Sequence, residues 1–369
     1  PALLPTDDAV TVQENTWAFY PLFPVLGRVV SGLTGTGPAW SLTAIALVSG
    51  VGAALVAYRI FRHRATHRTA LWGTVFLAAF PVAPVLQVPY AESLNLLLLG
   101  AALLLVMERR YLWAMPVVVL MCLSRPTGVP FAAMMGLLLL YRLWQRLTAQ
   151  TRTAQTRTAQ TRTVQHPTAQ HATARHPANQ SPATQGVTVQ RRDGLALPGN
   201  AELWSLGGLT AVSGIGALLW PAIAWAATGD PGAYTKTETA WRGEDLVPFK
   251  PWFDAGIMLF GPTFGVLAPF VFVAAFTLLM MSRPVVALGT ELRLWCCCYM
   301  GYLLVFLHPQ TSTFRMLLPL FPLALSAALL SRSRAYRGTV VVMFVLLQVV
   351  WIVWLWAWAQ LPGGGDYPP

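Results

Sequence analysis

Long runs of uncharged, apolar residues constrain this chain more than any other feature. A first run covers residues 40–58, and similar runs return along the chain. An apolar helix of about 20 residues crosses the hydrocarbon core of a bilayer. With 55% hydrophobic and only 11% charged residues, the sequence is unlike that of a water-soluble domain. We therefore expect an all-α polytopic membrane protein.

The composition divides the chain into apolar segments, expected in the membrane, and polar segments, expected in water. Residues 1–38 combine acids, prolines and aromatic side chains, which is typical of an extracytoplasmic segment at the membrane interface. We expect transmembrane helices in residues 39–146, a disordered cytoplasmic loop at 147–202, further helices at 203–361 and an extracytoplasmic tail at 362–369. In chain order, the expected full spans are 40–58, 70–87, 91–107, 203–227, 255–281, 294–307, 314–330 and 338–361.

Two shorter apolar runs, 111–123 and 127–141, flank a polar turn. Each is shorter than the roughly 20 residues that cross a bilayer, so neither crosses alone. Pro126 lacks a helix donor and disfavours helical geometry at Arg125. The runs predict a broken helix pair at 111–141 whose tip lines a cavity, with Arg125 at its floor. The whole bundle would hold about 9–10 transmembrane or half-membrane helices.

The segment 147–202 has a different character. From Thr148 the sequence repeats Thr-Ala-Gln-Thr-Arg, and a mixture of His, Pro, Gln and Thr follows without hydrophobic periodicity. Such a sequence buries too little apolar surface to offset the entropy lost on ordering, so we expect disorder. His166, His171 and His176 recur every five residues, which we attribute to the repeat rather than to a metal site.

Basic residues are distributed unevenly among the loops. If the loops after residues 58, 107, 141, 281 and 330 face the cytoplasm, they hold 19 of the 25 Lys and Arg residues, and the other side holds 10 of the 14 acids. Cytoplasmic loops of membrane proteins carry such an excess of positive charge. The net charge of +11 is therefore a topology signal, and nucleic acid is not an expected partner. The predominance of Arg over Lys indicates a GC-rich bacterium, hence a bacterial plasma membrane.

Two charged residues stand at or near membrane depth on the extracytoplasmic side. Glu92 follows a short turn between two spans, and Arg125 lies between the two half-length runs. Burying a charge in hydrocarbon costs roughly 3 kcal/mol or more, so both residues are candidates for function. The loop 228–254, His308 and Arg315 fall on the same side. The charged and aromatic residues of that loop indicate a binding surface.

Cysteine indicates neither a disulfide framework nor a metal cluster. Cys122 and the run Cys296-Cys297-Cys298 lie within apolar spans, and consecutive residues of a helix point in different directions. We expect no metal site and no cofactor.

Four segments, in order, carry a resemblance to a known family. They are WAFYPLFP at 17–24, YAESL at 90–94, SRPTG at 124–128 and FRMLLPLFP at 314–322. Together they resemble the landmarks of PIG-V-type mannosyltransferases and cover most of the chain. The resemblance implies the GT-C architecture and an enzyme that takes mannose from a polyprenyl- or dolichyl-phosphate carrier on the extracytoplasmic side. In a bacterium, the acceptor would be a cell-envelope glycolipid or glycan.

One part of the family pattern is missing. In the family, an acidic outer loop with an Asp beside Trp and Tyr precedes the Phe-rich segment, whereas this chain begins at Pro1 after that place. Asp7 and Asp8 lack the flanking Trp and Tyr. We therefore expect a fragment without the N-terminal part of the enzyme, and we assign the general base to no residue present, so the catalytic residue is unknown.

The expected chemistry is inverting transfer, in which a lipid phosphate leaves and needs fixed cations. Arg125 first, and Arg315 second, are expected to bind that phosphate, because a guanidinium donates two hydrogen bonds to phosphate oxygens. Glu92 would orient Arg125 or hold sugar hydroxyls, with a helix-terminal acid as the alternative. Aromatic rings would stack on sugar or isoprenoid, or else serve as interfacial anchors. The remaining expected substrate-binding residues are Tyr90, Trp17, Tyr20 and Trp241.

Other classes of function stay open. Broken helices with buried charge are also typical of a transporter or lipid flippase, although the pattern of 90–128 has no second copy in the second half of the chain. A non-catalytic membrane subunit is a further alternative. For the enzyme, the expected partners are the lipid-phosphate sugar donor, the glycolipid or glycan acceptor and the lipid bilayer.

Overall fold

The computed structural model describes residues 15–164, 199–242, 247–309 and 311–357, in which every regular element is helical. Numbered along the chain, the α-helices are α1 Leu22–Thr34, α2 Pro38–Arg64, α3 His67–Ala78, α4 Glu92–Met107, α5 Tyr111–Cys122, α6 Gly128–Val164, α7 Asn200–Thr228, α8 Ala233–Arg242, α9 Lys250–Gly265, α10 Ala268–Met281, α11 Arg283–Val286, α12 Thr290–Phe306, α13 Pro322–Leu330 and α14 Arg334–Val350. Short 3-10 helices cover Thr16–Ala18, Ala83–Gln87 and Thr311–Leu320, and a π-helical segment covers Trp351–Trp356.

Several sequence predictions fall outside the described residues. These are the acids Asp7, Asp8 and Glu14, the histidines His166, His171 and His176, the tail 362–369 and the side chain of Trp241.

The apolar helices indicate an all-α membrane protein. By length and composition, α2, α7 and the stretch Arg334–Trp354 can each cross a membrane, and two bent helix pairs raise the number to five if each pair forms one span. Large apolar side chains lie exposed on the outside, among them Leu33 and Met258, as expected of a surface that faces lipid. Other apolar helices, such as α4, α5 and α12, have fewer residues than a full span needs.

A single large core joins most of the helices. α2 packs along α4, α4 packs on α5, and α7 packs on both α5 and α6, while α12 lies against α6 and α13 against α3. Phe61, Tyr111, Phe131 and Trp295 are fully buried in this core. The short helices α4 and α5 therefore each pack on several neighbouring helices, although Leu112 and Trp113 at the start of α5 remain exposed.

Prolines and glycines break three of the spans that the sequence predicts as continuous. In 70–87, α3 ends at Ala78 and a 3-10 helix follows, because Pro81 and Pro84 cannot donate helical hydrogen bonds. In 255–281, α9 and α10 are bent by 100°, and Gly261 within α9 has a φ of 77°. In 314–330, a bend of 77° separates the 3-10 helix from α13.

The helix α6 extends beyond the expected start of the disordered loop 147–202. It continues to Val164, because the Thr-Ala-Gln-Thr-Arg repeat contains good helix formers and neither Gly nor Pro. The expectation of disorder at 147–164 is therefore replaced by a helix. In the loop 228–254, the structure places the short helix α8, and the N-terminal segment contains α1, which packs on α2.

Candidate functional site

A cavity of about 630 Å³ lies at one end of the helix bundle. It is lined by residues 18–24, the start of α4, the turn between α5 and α6, α8, the last turns of α12 and the 3-10 helix Thr311–Leu320. These elements come from distant parts of the sequence. The cavity therefore exists only once the bundle is assembled.

Two arginines converge on one carboxylate in the wall of this cavity. Nη1 of Arg125 lies 2.6 Å from Oε1 of Glu92, and Nε of Arg315 lies 3.6 Å from the same oxygen. The side chain of Glu92 is only 6% exposed, whereas those of Arg125 and Arg315 are 22% and 15% exposed. Two positive charges against one negative charge leave the cluster with an excess of one positive charge facing the cavity.

The helix α4 supplies both the carboxylate and the residue that positions Arg125. Glu92 and Asn95 are one turn apart and share a face. Nδ2 of Asn95 donates hydrogen bonds of 2.8 Å to the hydroxyls of Ser124 and Thr127, which flank Arg125 in the turn. The buried Asn95 thereby holds the turn between α5 and α6 against α4 and brings Arg125 to Glu92.

Arg315 is positioned through α12. Nε1 of Trp295 donates to the carbonyl of Pro319 at 2.7 Å, and the hydroxyl of Tyr299 donates to the carbonyl of Met316 at 2.7 Å. These bonds satisfy carbonyls of the 3-10 helix that carries Arg315. A 3-10 helix of this length is uncommon and needs such support.

Two further contacts complete the cluster. The guanidinium of Arg315 lies 5.2 Å from the ring centre of Tyr90, close enough for a cation–π interaction. Nη2 of Arg125 lies 3.1 Å from Sδ of Met316. Tyr90, Glu92, Arg125 and Arg315 therefore lie together in the wall of the cavity, and their binding of a substrate stays a prediction.

An aromatic face runs along α12 into the cavity. The rings of Tyr299 and Tyr302 lie 6.3 Å apart, and those of Tyr302 and Phe306 lie 5.1 Å apart. All three residues line the cavity. Such a face suits the apolar surface of a sugar ring or a hydrocarbon chain. The apolar run 294–307 predicts a membrane span and does not by itself indicate a cavity lining, although the helical spacing of three and four residues between these aromatic side chains predicts a shared face.

Another part of the cavity is lined by Tyr20 and by the acid Glu238. The hydroxyl of Tyr20 donates a 3.3 Å hydrogen bond to that of Tyr234 in α8, and Glu238 follows Tyr234 by one turn. Burial raises the pKa of Tyr20 and of Tyr234 above the ordinary value of a tyrosine, and the negative charge of Glu238 raises both further. Both hydroxyls therefore remain protonated at neutral pH.

Trp17 does not line the cavity. Its ring is 5% exposed and packs 5.2 Å from that of Trp220, whose Nε1 donates to the Trp17 carbonyl at 3.0 Å. The predicted role of Trp17 in stacking on substrate is thus replaced by a role in joining residues 15–20 to α7. Tyr20 and His308 do line the cavity.

Among the residues that the structure describes, no three His, Cys, Asp or Glu side chains gather in a group that could hold a metal ion. The four cysteines are free thiols, and Cys122 and Cys296 are buried.

Comparisons of the chain with protein-family models, with curated proteins and with solved structures found no match.

Proposed function

We propose that this protein is a membrane glycosyltransferase that moves mannose from a polyprenyl-phosphate carrier to a cell-envelope glycolipid or glycan on the extracytoplasmic side. The observation that carries the proposal is the convergence of Arg125 and Arg315 on Glu92 in the wall of a cavity. The resemblance of four sequence segments to PIG-V-type mannosyltransferases, with their GT-C architecture, points to the same chemistry.

The charge of the cluster favours an anionic ligand. One carboxylate offsets only one of two guanidinium groups, and both arginines retain exposed surface toward the cavity. A guanidinium binds phosphate through two parallel hydrogen bonds. In the proposed reaction, the arginines stabilise the negative charge that grows on the lipid phosphate as its bond to the sugar breaks.

The remaining surface of the cavity fits the rest of such a donor. The aromatic face of Tyr299, Tyr302 and Phe306 offers a platform for a sugar ring or the first isoprene units. The exposed apolar side chains around the bundle would hold the long polyprenyl tail in the bilayer. A site with these parts suits a ligand that has a polar sugar-phosphate head and an apolar lipid tail.

Substitution of Arg125 tests the proposal. Arg125→Gln should slow mannose transfer by about 30- to 1000-fold, since losing a charge-assisted contact to the transition state costs roughly 2–4 kcal/mol. Arg125→Lys keeps the charge but loses the planar two-point contact, so it should be impaired less than Arg125→Gln. The measurement is incorporation of labelled mannose from polyprenyl-phosphate-mannose into an extract of bacterial cell-envelope glycolipids.

Donor binding provides the second readout. Polyprenyl phosphate without sugar should compete for the site, whereas the uncharged polyprenol should not. Arg28→Gln is the matched control, because Arg28 is an exposed arginine of α1 that does not line the cavity. Normal donor affinity and turnover in a well-folded Arg125→Gln variant would contradict the assignment.

A purely structural role of the ion pair makes a different prediction. If Arg125 only balances Glu92, Arg125→Gln lowers the melting temperature in detergent, because the buried carboxylate loses its closest cation. The double variant with Glu92→Gln recovers part of it, since that carboxylate is then neutral, although Arg315 keeps its charge. In that case, the double variant would also recover transfer. Under the proposal it stays inactive.

A transporter or flippase is the alternative that the two bent helix pairs favour. It would bind the same lipid phosphate and move it across the bilayer without breaking the sugar–phosphate bond. Reconstituted vesicles separate the two, because only the enzyme releases polyprenyl phosphate from its sugar. Movement of intact donor without such release would support the transporter and overturn the enzyme.

A further inference from the structure

The described lining of the cavity contains two acids, and they belong to different elements. Glu92 opens α4, whereas Glu238 belongs to α8. The helix α8 packs on α7 and on the 3-10 helix Thr16–Ala18, while the arginines are carried by the turn after α5 and by the 3-10 helix Thr311–Leu320. The two carboxylates are therefore positioned independently.

Of these two acids, Glu92 belongs to the arginine cluster and Glu238 does not. Glu92 already shares its Oε1 between Arg125 and Arg315, so a proton placed on it would break two ion pairs. Glu238 is partly buried, and its negative charge acts on the hydroxyls of Tyr20 and Tyr234. Glu238 can thus accept a proton without dismantling the phosphate-binding cluster.

The anchoring of α8 is specific. Nδ2 of Asn15 donates to Oγ1 of Thr237 at 3.1 Å, and the hydroxyl of Tyr20 donates to that of Tyr234, so the first part of α8 is held against residues 15–20 by two hydrogen bonds. Thr237 is fully buried. A carboxylate on a helix held in this way has a defined place in the cavity, which a general base requires.

We propose that Glu238 is the general base that accepts the proton of the acceptor hydroxyl. The inference rests on the proposed transfer reaction. As the acceptor oxygen forms its bond to the anomeric carbon, its proton passes to the Glu238 carboxylate. The bond from that carbon to the phosphate oxygen breaks, and the phosphate leaves with the electron pair beside Arg125 and Arg315. Tyr234, whose oxygen accepts the hydrogen bond of Tyr20, would donate its own proton to the Glu238 carboxylate.

The test uses a nucleophile that needs no base. Glu238→Gln should slow mannose transfer to the envelope glycolipid extract by about 100- to 10,000-fold, the usual contribution of a general base, with unchanged affinity for polyprenyl-phosphate-mannose. Azide is an anion with no proton to lose. The same variant should therefore form mannosyl azide from the donor as fast as the unaltered chain does.

Three further variants distinguish a general-base role of Glu238 from a structural role or a role in donor binding. Asp230→Asn removes an acid of the same loop that pairs with Lys236 outside the cavity lining, and it should leave both reactions unchanged. Glu238→Asp keeps a carboxylate and should retain part of the transfer, which also tests the role if Glu238→Gln does not fold. Arg125→Gln should lose transfer and the azide reaction together, because both need the phosphate to leave.

Each outcome bears on the inference. Transfer within a few-fold of normal in Glu238→Gln overturns it, and so does loss of the azide reaction together with transfer in a folded variant that binds donor. If His308→Gln instead loses transfer while keeping the azide reaction, His308 is the base and Glu238 is not. If the unaltered chain neither binds polyprenyl-phosphate-mannose nor releases polyprenyl phosphate from it, the proposed function itself is contradicted. The role of Glu238 as general base is then contradicted as well.

Discussion

Gly289, which precedes α12, shows how a single residue fixes a buried ion cluster. Its φ is 84°, a left-handed conformation, and a Cβ there would lie 2.5 Å from Cζ of Arg64. Arg64 pairs with Glu291 at 2.9 Å, and Arg142 pairs with the other oxygen of Glu291 at 3.2 Å. Only glycine accepts this backbone conformation while leaving room for the guanidinium.

We predict that Gly289→Ala destabilises the protein. A φ of 84° with a ψ of 173° is open essentially only to glycine and costs a residue with a Cβ roughly 1–3 kcal/mol. Displacement of Arg64 adds to this cost by weakening its pair with Glu291. Thermal unfolding in detergent should show a lower melting temperature. Gly301→Ala is the control, because Gly301 lies within α12 with open space around its Cα and should show no loss. Equal melting of the two variants would contradict the prediction.

At the scale of elements, the bend between α9 and α10 depends on close approach of the backbone within α9, between the parts before and after its kink at Gly261. A Cβ on Gly256 would overlap the carbonyl oxygen of Gly265, and a Cβ on Gly265 would overlap the backbone of Ile257. The 100° bend therefore requires small residues on both sides of the contact. Van der Waals repulsion between backbones cannot be relieved by changing a rotamer.

We predict that Gly256→Ala opens this bend. Spin labels attached at the exposed positions Leu259 and Val271 report the distance between α9 and α10 by pulsed electron paramagnetic resonance. The variant should show a longer mean distance or a broader distribution than the unaltered chain. Gly214→Ala in α7, where a Cβ meets nothing within 4 Å, should leave the distribution unchanged. An unchanged distance in Gly256→Ala would show that the backbones separate without altering the bend.

At the scale of the whole molecule, the uneven distribution of basic residues predicts its orientation. The cavity lies with α8 on the side that holds few Lys and Arg residues, and the cluster of Arg64, Arg142 and Glu291 lies on the other. By the positive-inside rule, the cavity should face away from the cytoplasm. That placement fits a lipid-linked donor that is used outside the cell membrane.

Cysteine labelling of intact cells tests this orientation. In a chain with Cys297 replaced by Ala, Thr235→Cys in α8 should react with a membrane-impermeant maleimide from outside. Ser333→Cys, in the loop between α13 and α14, should react only after the cells are permeabilised. Both positions are exposed, so reactivity depends on the side of the membrane. The reverse pattern would contradict the orientation and place the cavity in the cytoplasm.

Much of the site was predictable from local sequence. A charge costs too much in hydrocarbon to persist without a purpose, which singled out Glu92 and Arg125. Arg315 was predicted because it falls on the same side of the membrane and within one of the four family-like segments. Pro126 indicated the broken helix that carries Arg125. Glu238 was indicated only as one of the charged residues of the loop 228–254, because an acid in a polar loop carries no such cost. The docking of α8 brings it to the cavity.

The sequence by itself determined the helical class and the run from α4 to α6, because apolar periodicity and prolines act within a few residues of the chain. Only the tertiary structure decided that Asn95 fastens the turn beside Arg125 and that Trp295 and Tyr299 support the 3-10 helix of Arg315. It also turned Trp17 inward onto Trp220. These contacts join residues far apart in the sequence, where local propensity has no influence and the partner is chosen by packing and by the need to satisfy buried polar groups.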